Sequence, residues 1–384
     1  MVDTTALMMR LIKSEITECS LDNSIEITEE ELGSLYAFAK SHDITQLLLS
    51  PLEKLSALKS EYTISDKFRK ALFTAVSRYK KSEYDLKSIC QLFEDEGIDY
   101  IILKGGVLRN YYPKPYLRTS CDIDILIRPD DVDFATELLV NKLQFKLHAK
   151  EQYDISLFSP SKGHFELHFK LIERGFKEMK TLCDIWHSSE IAKNSSHGFV
   201  MSPELFLLYH IYHMAKHFIQ GGCGIKPFVD LWIIKNRMGY DEDKAITLLK
   251  ENDLYEFYRG ASDLTDVWFE DKEHSDITHE IEDYILAGGV YGTLEQNLAM
   301  PQNRKGGRFN HLLSRIFLSY NAMLVYYPSL KKCPVLYPLY QVRRWFRILF
   351  CGGSKRAFTE IRLNQNLSNL KKEKAKLLLT ELGL

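Results

Sequence analysis

The sequence predicts an α+β protein in which a small mixed β-sheet lies between helical segments. Residues 1–90 and the residues from Ser202 onward carry apolar side chains at spacings of three and four, which is typical of amphipathic helices. Between them, short runs of β-forming residues alternate between apolar and polar positions. The hydrophobic content of 45% is that of a chain that buries a core, so a disordered protein is excluded.

The first ninety residues are predicted to form an N-terminal helical segment. The stretch ITEEELGSLYAFAKSHDITQLLLSPLEKL begins with acidic residues, which favour the first turn of a helix. The stretch SDKFRKALFTAVSRYKKSEYDLKSICQLFEDEG follows a Ser-Asp cap and ends at Gly97, a typical helix end. We therefore expect two long helices before the sheet.

Residues 91–195 are predicted to form the core domain, which contains the sheet. Its strands are expected in five runs, DYIILKGG, DIDILIRP, KLQFKLHA, YDISLFS and GHFELHFKL, with a helix in PDDVDFATELLVNK. Residues 196–300 are expected to form a helical domain that closes a cleft against this core. Residues 301–384 form a basic helical tail, which has 16 Lys and Arg against 3 Asp and Glu.

Composition also limits the class of protein. Seven scattered cysteines, never in a C-x-x-C pair, argue against a disulfide framework and a zinc knuckle. The stretch MVDTTALMMRLIKSEITECS has no cleavage pattern of a signal peptide. No apolar run reaches the roughly 18 residues of a membrane span. We expect a cytoplasmic protein with no transmembrane segment.

Two aspartates interrupt an apolar strand. In CDIDILI, the two-residue period of a strand places Asp122 and Asp124 on one face and the isoleucines on the other. Buried carboxylates are costly unless cations neutralise them. Oxygen ligands on one face suit Mg²⁺ or Mn²⁺ together with substrate phosphates. We interpret the pair as metal ligands; a solvated pair at the end of the sheet is the alternative.

A third carboxylate follows on a later predicted strand. In GHFELHFKL, alternation places His164, Glu166 and His168 on one face. Glu166 is therefore expected to join Asp122 and Asp124 at one site. An ion pair between Glu166 and a lysine of the same sheet is the alternative.

A strand that runs into two glycines precedes the aspartates. In IILKGG, Gly105 and Gly106 allow a ligand to approach the backbone, and the start of the following helix offers N–H groups to phosphate. Lys104 is placed to reach a triphosphate, and Arg118, in the loop before Asp122, suits a bidentate phosphate contact. The alternatives are a surface lysine and a loop arginine without a role.

Together, these elements resemble the DNA polymerase beta-like nucleotidyltransferase superfamily. Its pattern is an apolar strand ending in G-G or G-S, then D-x-D on a second strand and an acid on a third. More narrowly, LKGG, Arg118, DIDILI and FELHF look like a bacterial family of uncharacterised nucleotidyltransferases. The resemblance covers roughly residues 30 to 235, through HMAKHFIQGGCGIKPFVDLW, and does not include the last part of the chain.

The resemblance implies a reaction and its site residues. Asp122 and Asp124 match ligands of two Mg²⁺ (or Mn²⁺) ions, Glu166 matches the third carboxylate, and Gly105 and Gly106 match the phosphate-binding turn. The implied reaction moves a nucleoside monophosphate from an NTP to a hydroxyl of a small molecule, sugar or protein and releases pyrophosphate. A toxin-like enzyme that modifies tRNA and an inactive nucleotide-binding or partner-binding module are the alternatives.

A later helix carries a stripe of histidines. In PELFLLYHIYHMAKHFIQ, His210, His213 and His217 are spaced at i, i+3 and i+7. The resemblance marks recurring polar positions as substrate or supporting residues, together with His168 on the strand: His213, Lys216, His217, Lys226 and Asp230. The alternatives are histidines satisfied in the core and a zinc site, although no acid or cysteine lies in this stripe.

The basic tail interleaves arginines with aromatic residues. YPLYQVRRWFRILFCGGSKR contains Arg343, Arg344, Arg347 and Arg356 among Trp345, Phe346 and Phe350. Such a stretch fits an RNA-binding face, a membrane-surface helix, or a helix whose aromatic residues are core. We expect the third, with the tail docked on the acidic remainder, because its apolar residues are nearly continuous.

Overall fold

The computed structural model describes most of the chain. The described residues are 4–21, 26–172, 179–220, 222–289, Met323, Tyr327, Leu330, 334–350 and 369–384. The chain divides into two compact units, one of Met1–Thr293 with Leu378–Leu384 and one of Leu294–Leu377. Within the described residues, no helix has the length and apolar character needed to cross a membrane. The division into four domains stays a prediction.

Four helices precede the sheet. They span Thr4–Thr17 (α1), Glu29–Ser41 (α2), Leu49–Lys54 (α3) and Thr63–Glu96 (α4). A capping box begins α2, in which the Glu31 carboxylate accepts from the N–H of Thr28 at 3.0 Å. Gly97 ends α4 with a φ of 73°, the left-handed conformation that closes a helix. The predicted helical segment is therefore present, but the first of its two predicted helices is divided, because α2 ends at Ser41 and α3 begins at Leu49.

The sheet has seven strands of mixed direction. They span Tyr100–Ile102 (β1), Asp122–Ile127 (β2), Lys146–Lys150 (β3), Asp154–Phe158 (β4), His164–His168 (β5), Ser189–Ile191 (β6) and Gly198–Met201 (β7). Their order is β3-β4-β5-β2-β1-β7-β6. The pairs β2·β5 and β1·β7 are parallel, and the other pairs are antiparallel. The prediction of an α+β fold with a mixed sheet is confirmed.

Strands β6 and β7 were not predicted. They have three and four residues and carry no sustained alternation. Their place is fixed by tertiary pairing, because β7 lies parallel to β1 and β6 pairs with β7. Gly198 is required at the start of β7, since a Cβ there would lie 2.8 Å from the hydroxyl oxygen of Tyr100.

The two faces of β2 have opposite surroundings. Ile123, Ile125 and Ile127 are buried in a core formed with the end of α4, with strand β5 and with helix α6 (Val132–Lys142). The other face carries Asp122 and Asp124 beside the short helix α5 (Lys104–Leu108), which contacts β2. The alternation predicted for CDIDILI therefore separates the apolar core from the polar site.

Helices dominate the chain after the sheet. The short helix α7 (Lys180–Cys183) lies between β5 and β6, and the helices after β7 span Pro203–Ile219 (α8), Lys226–Arg237 (α9), Glu242–Glu251 (α10), Tyr255–Phe269 (α11), Asp276–Gly288 (α12), Tyr337–Phe350 (α13) and Asn369–Glu381 (α14). Ser202 caps α8 by accepting from the N–H of Leu205 at 3.2 Å. Leu378, Leu379 and Leu382 are buried. Leu382 lies against α11, where a Cβ on Gly260 would be 2.8 Å from its Cδ2 atom.

The basic tail contributes α13 to the second compact unit. Arg343 is exposed, and its guanidinium carbon lies 5.9 Å from the centre of the Tyr327 ring. Of the other tail residues singled out in the sequence, Arg356 lies outside the described residues, and the structure describes the backbone but not the side chains of Arg344, Trp345, Phe346, Arg347 and Phe350. Docking of the tail stays a prediction.

Candidate active site

The register of two parallel strands brings the three predicted carboxylates to one face of the sheet. Asp124 on β2 lies opposite Glu166 on β5, and Asp122 lies opposite His164. Side chains of paired residues in neighbouring strands point to the same face. Glu166 is therefore on the same face as both aspartates, and within the described ranges no lysine forms an ion pair with it.

The polar atoms of this face form two overlapping groups. One nitrogen or oxygen from each of Asp122, His164 and Glu166 lies within 4.8 Å of the others, and the same is true of Asp124, Glu166 and His168. Glu166 belongs to both groups. Three carboxylates at this spacing supply the oxygen ligands that hard divalent cations take in proteins.

Two cations neutralise Asp124. The Lys104 Nζ lies 3.3 Å from its Oδ2, and the His168 Nε2 lies 2.8 Å from its Oδ1. Burial alone would raise the pKa of Asp124, but Lys104 and His168 outweigh it and hold the pKa below its ordinary value. Burial and Lys104 act to lower the pKa of His168, but its hydrogen bonds to Asp124 and Glu166 outweigh them and raise it to about 9. These neighbours explain how a carboxylate that is only 4% exposed stays ionised.

Lys104 makes this contact from an unusual backbone conformation. Its φ is 37°, in the left-handed region that non-glycine residues rarely adopt. Lys104 is the first residue of α5, directly after the end of β1, and this conformation directs its side chain to Asp124. Backbone strain of this kind persists where the surrounding structure enforces it, as it often does at functional sites.

Asp122 is neutralised less well than its neighbour. Burial and then the charge of Asp124 raise its pKa, and Lys104 opposes them only in part. Asp122 also lies at the wall of a cavity of about 390 Å³. Of the two aspartates, Asp122 has the less well compensated carboxylate, and it is the one that lies at the wall of the cavity.

The cavity beside Asp122 is strongly basic. It is bounded by α4, by the loop before β2 and by the turn between β4 and β5. Its walls carry five cationic side chains, Arg78, Lys81, Arg109, Arg118 and Lys162. Asp122 is the one carboxylate among its lining residues. A concave surface of this composition suits a polyanion that reaches the carboxylates.

Arg109 was not predicted as a site residue, although it lines this cavity. It is 5% exposed, and its Nε donates to the Gly105 carbonyl at 2.8 Å. Its other contacts are the hydroxyls of Ser82 at 3.2 Å and Ser120 at 3.1 Å. Burial and then Arg118 lower its pKa to about 10. In the described part of the chain it forms no ion pair; its guanidinium carbon lies 5.8 Å from the centre of the Tyr79 ring, and the charge of Glu83 acts on it at longer range.

Arg118, in contrast, is fully engaged by a carboxylate. Its Nη2 and Nε donate to Asp230 at 2.7 and 3.0 Å, and the Tyr112 hydroxyl donates to the same carboxylate at 2.7 Å. The phosphate contact proposed for Arg118 stays a prediction, but these bonds make the side chain a link between the loop before β2 and α9. Asp230 is 1% exposed and lies in this link.

The two glycines of the predicted phosphate turn have different packing reasons. A Cβ on Gly106 would lie 2.4 Å from the Ile102 Cγ2, so a side chain there is excluded by the close approach of α5 to β1. A Cβ on Gly105 would lie 3.0 Å from the Arg118 Nη1. Gly105 thus lies next to a side chain of the basic cavity, whereas Gly106 packs inside the fold.

The histidines of the α8 stripe have different surroundings. Burial and then the charge of Lys104 lower the pKa of His213, and its place at the site stays a prediction. The Nε2 atoms of His213 and His217 are 3.1 Å apart. No third ligating group completes this pair among the described residues, which leaves the zinc alternative without support. His210 contacts the Pro227 carbonyl at 3.0 Å, as a satisfied core histidine does.

The remaining candidates on α8 and α9 have separate surroundings. Lys226 pairs with Asp43, and its Nζ also lies 3.1 Å from the carbonyl oxygen of Thr119. Lys226, the first residue of α9, therefore connects this helix both to Asp43 after α2 and to the loop before β2. Lys216 is half-buried on α8 beside His217. The roles of these residues in substrate binding stay predictions.

Comparisons with known proteins point to one family. The family model described as uncharacterised nucleotidyltransferase matches residues 28–270. No curated protein sequence matches the chain. The solution structure of the antibiotic-resistance factor ANT(2'')-Ia is similar over 49% of this chain and 96% of that chain, with 12% sequence identity and a TM-score of 0.33. The assignment to the family depends on the match over residues 28–270 and not on this structural similarity.

Proposed function

Since the chain belongs to the family of uncharacterised nucleotidyltransferases, we propose that it moves a nucleoside monophosphate from an NTP to an acceptor hydroxyl, with divalent metal and release of pyrophosphate. Family membership makes the chain a nucleotidyltransferase with an NTP as a substrate. One observation carries the finer proposal. The face with Asp122, Asp124 and Glu166 adjoins a cavity that contains the buried guanidinium of Arg109.

The donor set on this face fits a hard divalent cation. Asp122, Asp124 and Glu166 would be ligands of Mg²⁺ or Mn²⁺, because a carboxylate oxygen of Glu166 on β5 lies within 4.8 Å of a carboxylate oxygen of each aspartate on β2. When bound, the metal would supply positive charge to the phosphate oxygens. His168 orients the ligands, since its Nε2 lies 2.8 Å from Asp124 and 3.4 Å from Glu166.

The basic cavity is the proposed site for the NTP phosphates. Its volume of about 390 Å³ is within the range of small-molecule sites. Arg109 is held by Gly105 and Ser120, so its guanidinium is fixed before a ligand arrives. Fixed donors of this kind position a triphosphate and stabilise charge at low reorganisation cost. Phosphoryl-type transfer depends mainly on such positioning.

Calorimetry with each NTP tests the metal and nucleotide parts of the proposal. Binding should require Mg²⁺ or Mn²⁺ in the wild-type chain and should be lost in Asp122→Asn with Asp124→Asn. Asp130→Asn is a matched control, because Asp130 is exposed just beyond the same strand. Tight binding without metal that survives the double substitution would contradict the proposal.

Labelled NTP tests the acceptor. The chain would be incubated with α-phosphate-labelled NTP and, separately, with a small-molecule extract, a protein fraction and total tRNA. We expect label on a small molecule or a protein, with pyrophosphate released. Label on tRNA instead would show that the acceptor is tRNA and not a small molecule or a protein. Metal-dependent NTP binding without transfer to any fraction would indicate a nucleotide-binding module.

A further inference from the structure

Tyr116 is a half-buried aromatic side chain at the wall of the basic cavity. It lines the cavity together with Arg118 and Ser120. Within the described part of the chain, its ring pairs with no other aromatic ring or cation, and its hydroxyl forms no hydrogen bond. Tyrosine side chains that are withdrawn from water usually find a partner for the hydroxyl and pack the ring. A tyrosine with neither, at the wall of a ligand cavity, points to the ligand as its partner.

The backbone fixes Tyr116 before a ligand arrives. The residue is in the short 3₁₀ turn Pro115–Leu117, which packs against α4. The Leu117 N–H donates to the Lys114 carbonyl at 2.9 Å, and the side-chain amide of Gln46 donates to the Leu117 carbonyl at 2.8 Å. Leu117 itself is buried. A ring on so rigid a turn can receive a flat ligand at a low cost in lost conformational freedom.

The polar groups around Tyr116 are poorly suited to reading the edge of a base. The hydroxyl groups that line the cavity already bond to the protein, namely Ser82 to the Tyr79 carbonyl, Thr119 to Asp43, Ser120 to Arg109 and Ser161 to Asp85. No asparagine or glutamine is among the described residues that line the cavity. These amides are the side chains that bind adenine through paired hydrogen bonds. The remaining polar lining is mainly cationic and suits phosphate oxygens.

We propose that the Tyr116 ring stacks on the nucleobase of the NTP, and that the cavity accepts purine and pyrimidine NTPs with little preference. This inference rests on the proposed nucleotidyltransferase function. Every base has a π-face, so stacking on an aromatic side chain tolerates all four bases. Strong discrimination requires polar groups of the site that the wrong ligand leaves unpaired, and here the hydroxyls are paired within the protein.

A comparison of NTPs with inorganic tripolyphosphate separates the base from the phosphates. Isothermal calorimetry in Mg²⁺ would measure the binding of ATP, GTP, CTP, UTP and tripolyphosphate to the whole chain. The wild type should bind the four NTPs within about tenfold of one another. It should bind each of them roughly 5- to 100-fold more tightly than tripolyphosphate, which is the worth of stacking one base.

Substitution of Tyr116 should remove only the contribution of the base. Tyr116→Ala should weaken the binding of every NTP by roughly 5- to 100-fold and leave tripolyphosphate binding unchanged, because the phosphates contact the cations of the cavity. Tyr116→Phe keeps the ring and should keep the NTP affinity. Tyr84→Ala is the matched control, since Tyr84 is 72% exposed on α4 and does not line the cavity.

The possible failures are distinguishable. Equal NTP affinity in the wild type and Tyr116→Ala would overturn the stacking, and so would a loss of tripolyphosphate binding in that variant, because Tyr116 would then support the cavity itself. One NTP bound more than about 100-fold more tightly than the other three would overturn the lack of base preference. A wild-type chain that binds neither the NTPs nor tripolyphosphate in Mg²⁺ would contradict the proposed function as well.

Discussion

Arg109 and Arg118 are neighbouring buried arginines at one cavity, and they differ in what balances their charge. Arg118 is bound by the carboxylate of Asp230 through two of its nitrogens. Arg109 contacts a carbonyl, two hydroxyls and the Tyr79 ring, and its pKa is lowered to about 10 by burial and then by Arg118. A buried charge with its own counter-ion stabilises the fold only in the presence of that partner. A buried charge without one is available to an anionic ligand.

The difference separates architecture from binding. The bond from Arg118 to Asp230 joins residues 112 positions apart and connects the loop before β2 to α9. The bonds of Arg109 stay near the loop, α4 and α5 and end at the cavity. The same residue type therefore serves two purposes at one site, and each purpose can be tested by removing one charge.

Removal of Asp230 should have the largest effect. Asp230→Leu leaves Arg118 buried without its partner and should lower the free energy of unfolding by about 3–5 kcal/mol. Urea unfolding followed by circular dichroism measures it. Adding Arg118→Met should recover part of the loss, because no unpaired charge then remains. A loss below about 1 kcal/mol in the single variant would mean that the pair does not support the fold.

Removal of Arg109 should affect binding more than folding. Arg109→Met should weaken metal-dependent NTP binding by roughly 10- to 100-fold, the worth of a charge-assisted hydrogen bond to phosphate. The free energy of unfolding should change by less than about 1 kcal/mol, since a buried charge without a counter-ion is removed. Calorimetry and urea unfolding give the two values. Arg128→Met, away from the cavity, is the control.

His42 extends the comparison to a buried group that loses its charge. Burial lowers its pKa to about 4, and a backbone contact with Leu286 only partly opposes this. The unfolded chain takes up the proton near the ordinary pKa of 6.5, so stability falls as pH drops from 6.5 towards 4. Between pH 6.5 and 5 the wild type should lose about 1.5 kcal/mol more than His42→Phe. Equal pH dependence in urea unfolding would contradict this.

Lys104 gives the smallest expected effect. Both Lys104→Gly and Lys104→Ala remove the contact with Asp124, and both must adopt the left-handed φ of 37°, but only alanine has a Cβ that makes this φ costly. The glycine variant should therefore be more stable than the alanine variant by about 1 kcal/mol. Urea unfolding of the two variants isolates the backbone strain from the lost charge. Equal stability would show that the turn relaxes.

Local periodicity was sufficient for the centre of the fold. The alternation in DIDILI and FELHF assigns Asp124 and Glu166 to the same faces as the parallel register of β2 and β5 does. The helix before the sheet ends at Gly97, where the sequence placed its end. These features depend on residues that are close in sequence, so their pattern is visible without the fold.

The features that sequence missed depend on distant residues. Arg118 reads as a free loop cation until Asp230 is brought to it, and β7 reads as a loop until β1 pairs with it. Arg109 had one local signal, its position four residues after Gly105, whose carbonyl it binds. Its burial and its lack of an ion pair among the described residues emerge only from the packing of α4 and the loop around it.

The return of Leu378–Leu384 to the first unit has a consequence for biosynthesis. Leu294–Leu377 is translated between the two parts of that unit. The surface of α11 around Gly260 can therefore contact Leu382 only after the second unit has been synthesised. During that interval the nascent chain exposes an apolar surface that the finished protein covers, and such surfaces recruit chaperones. Residues 378–384 can therefore complete the first unit only after Leu294–Leu377 has been translated.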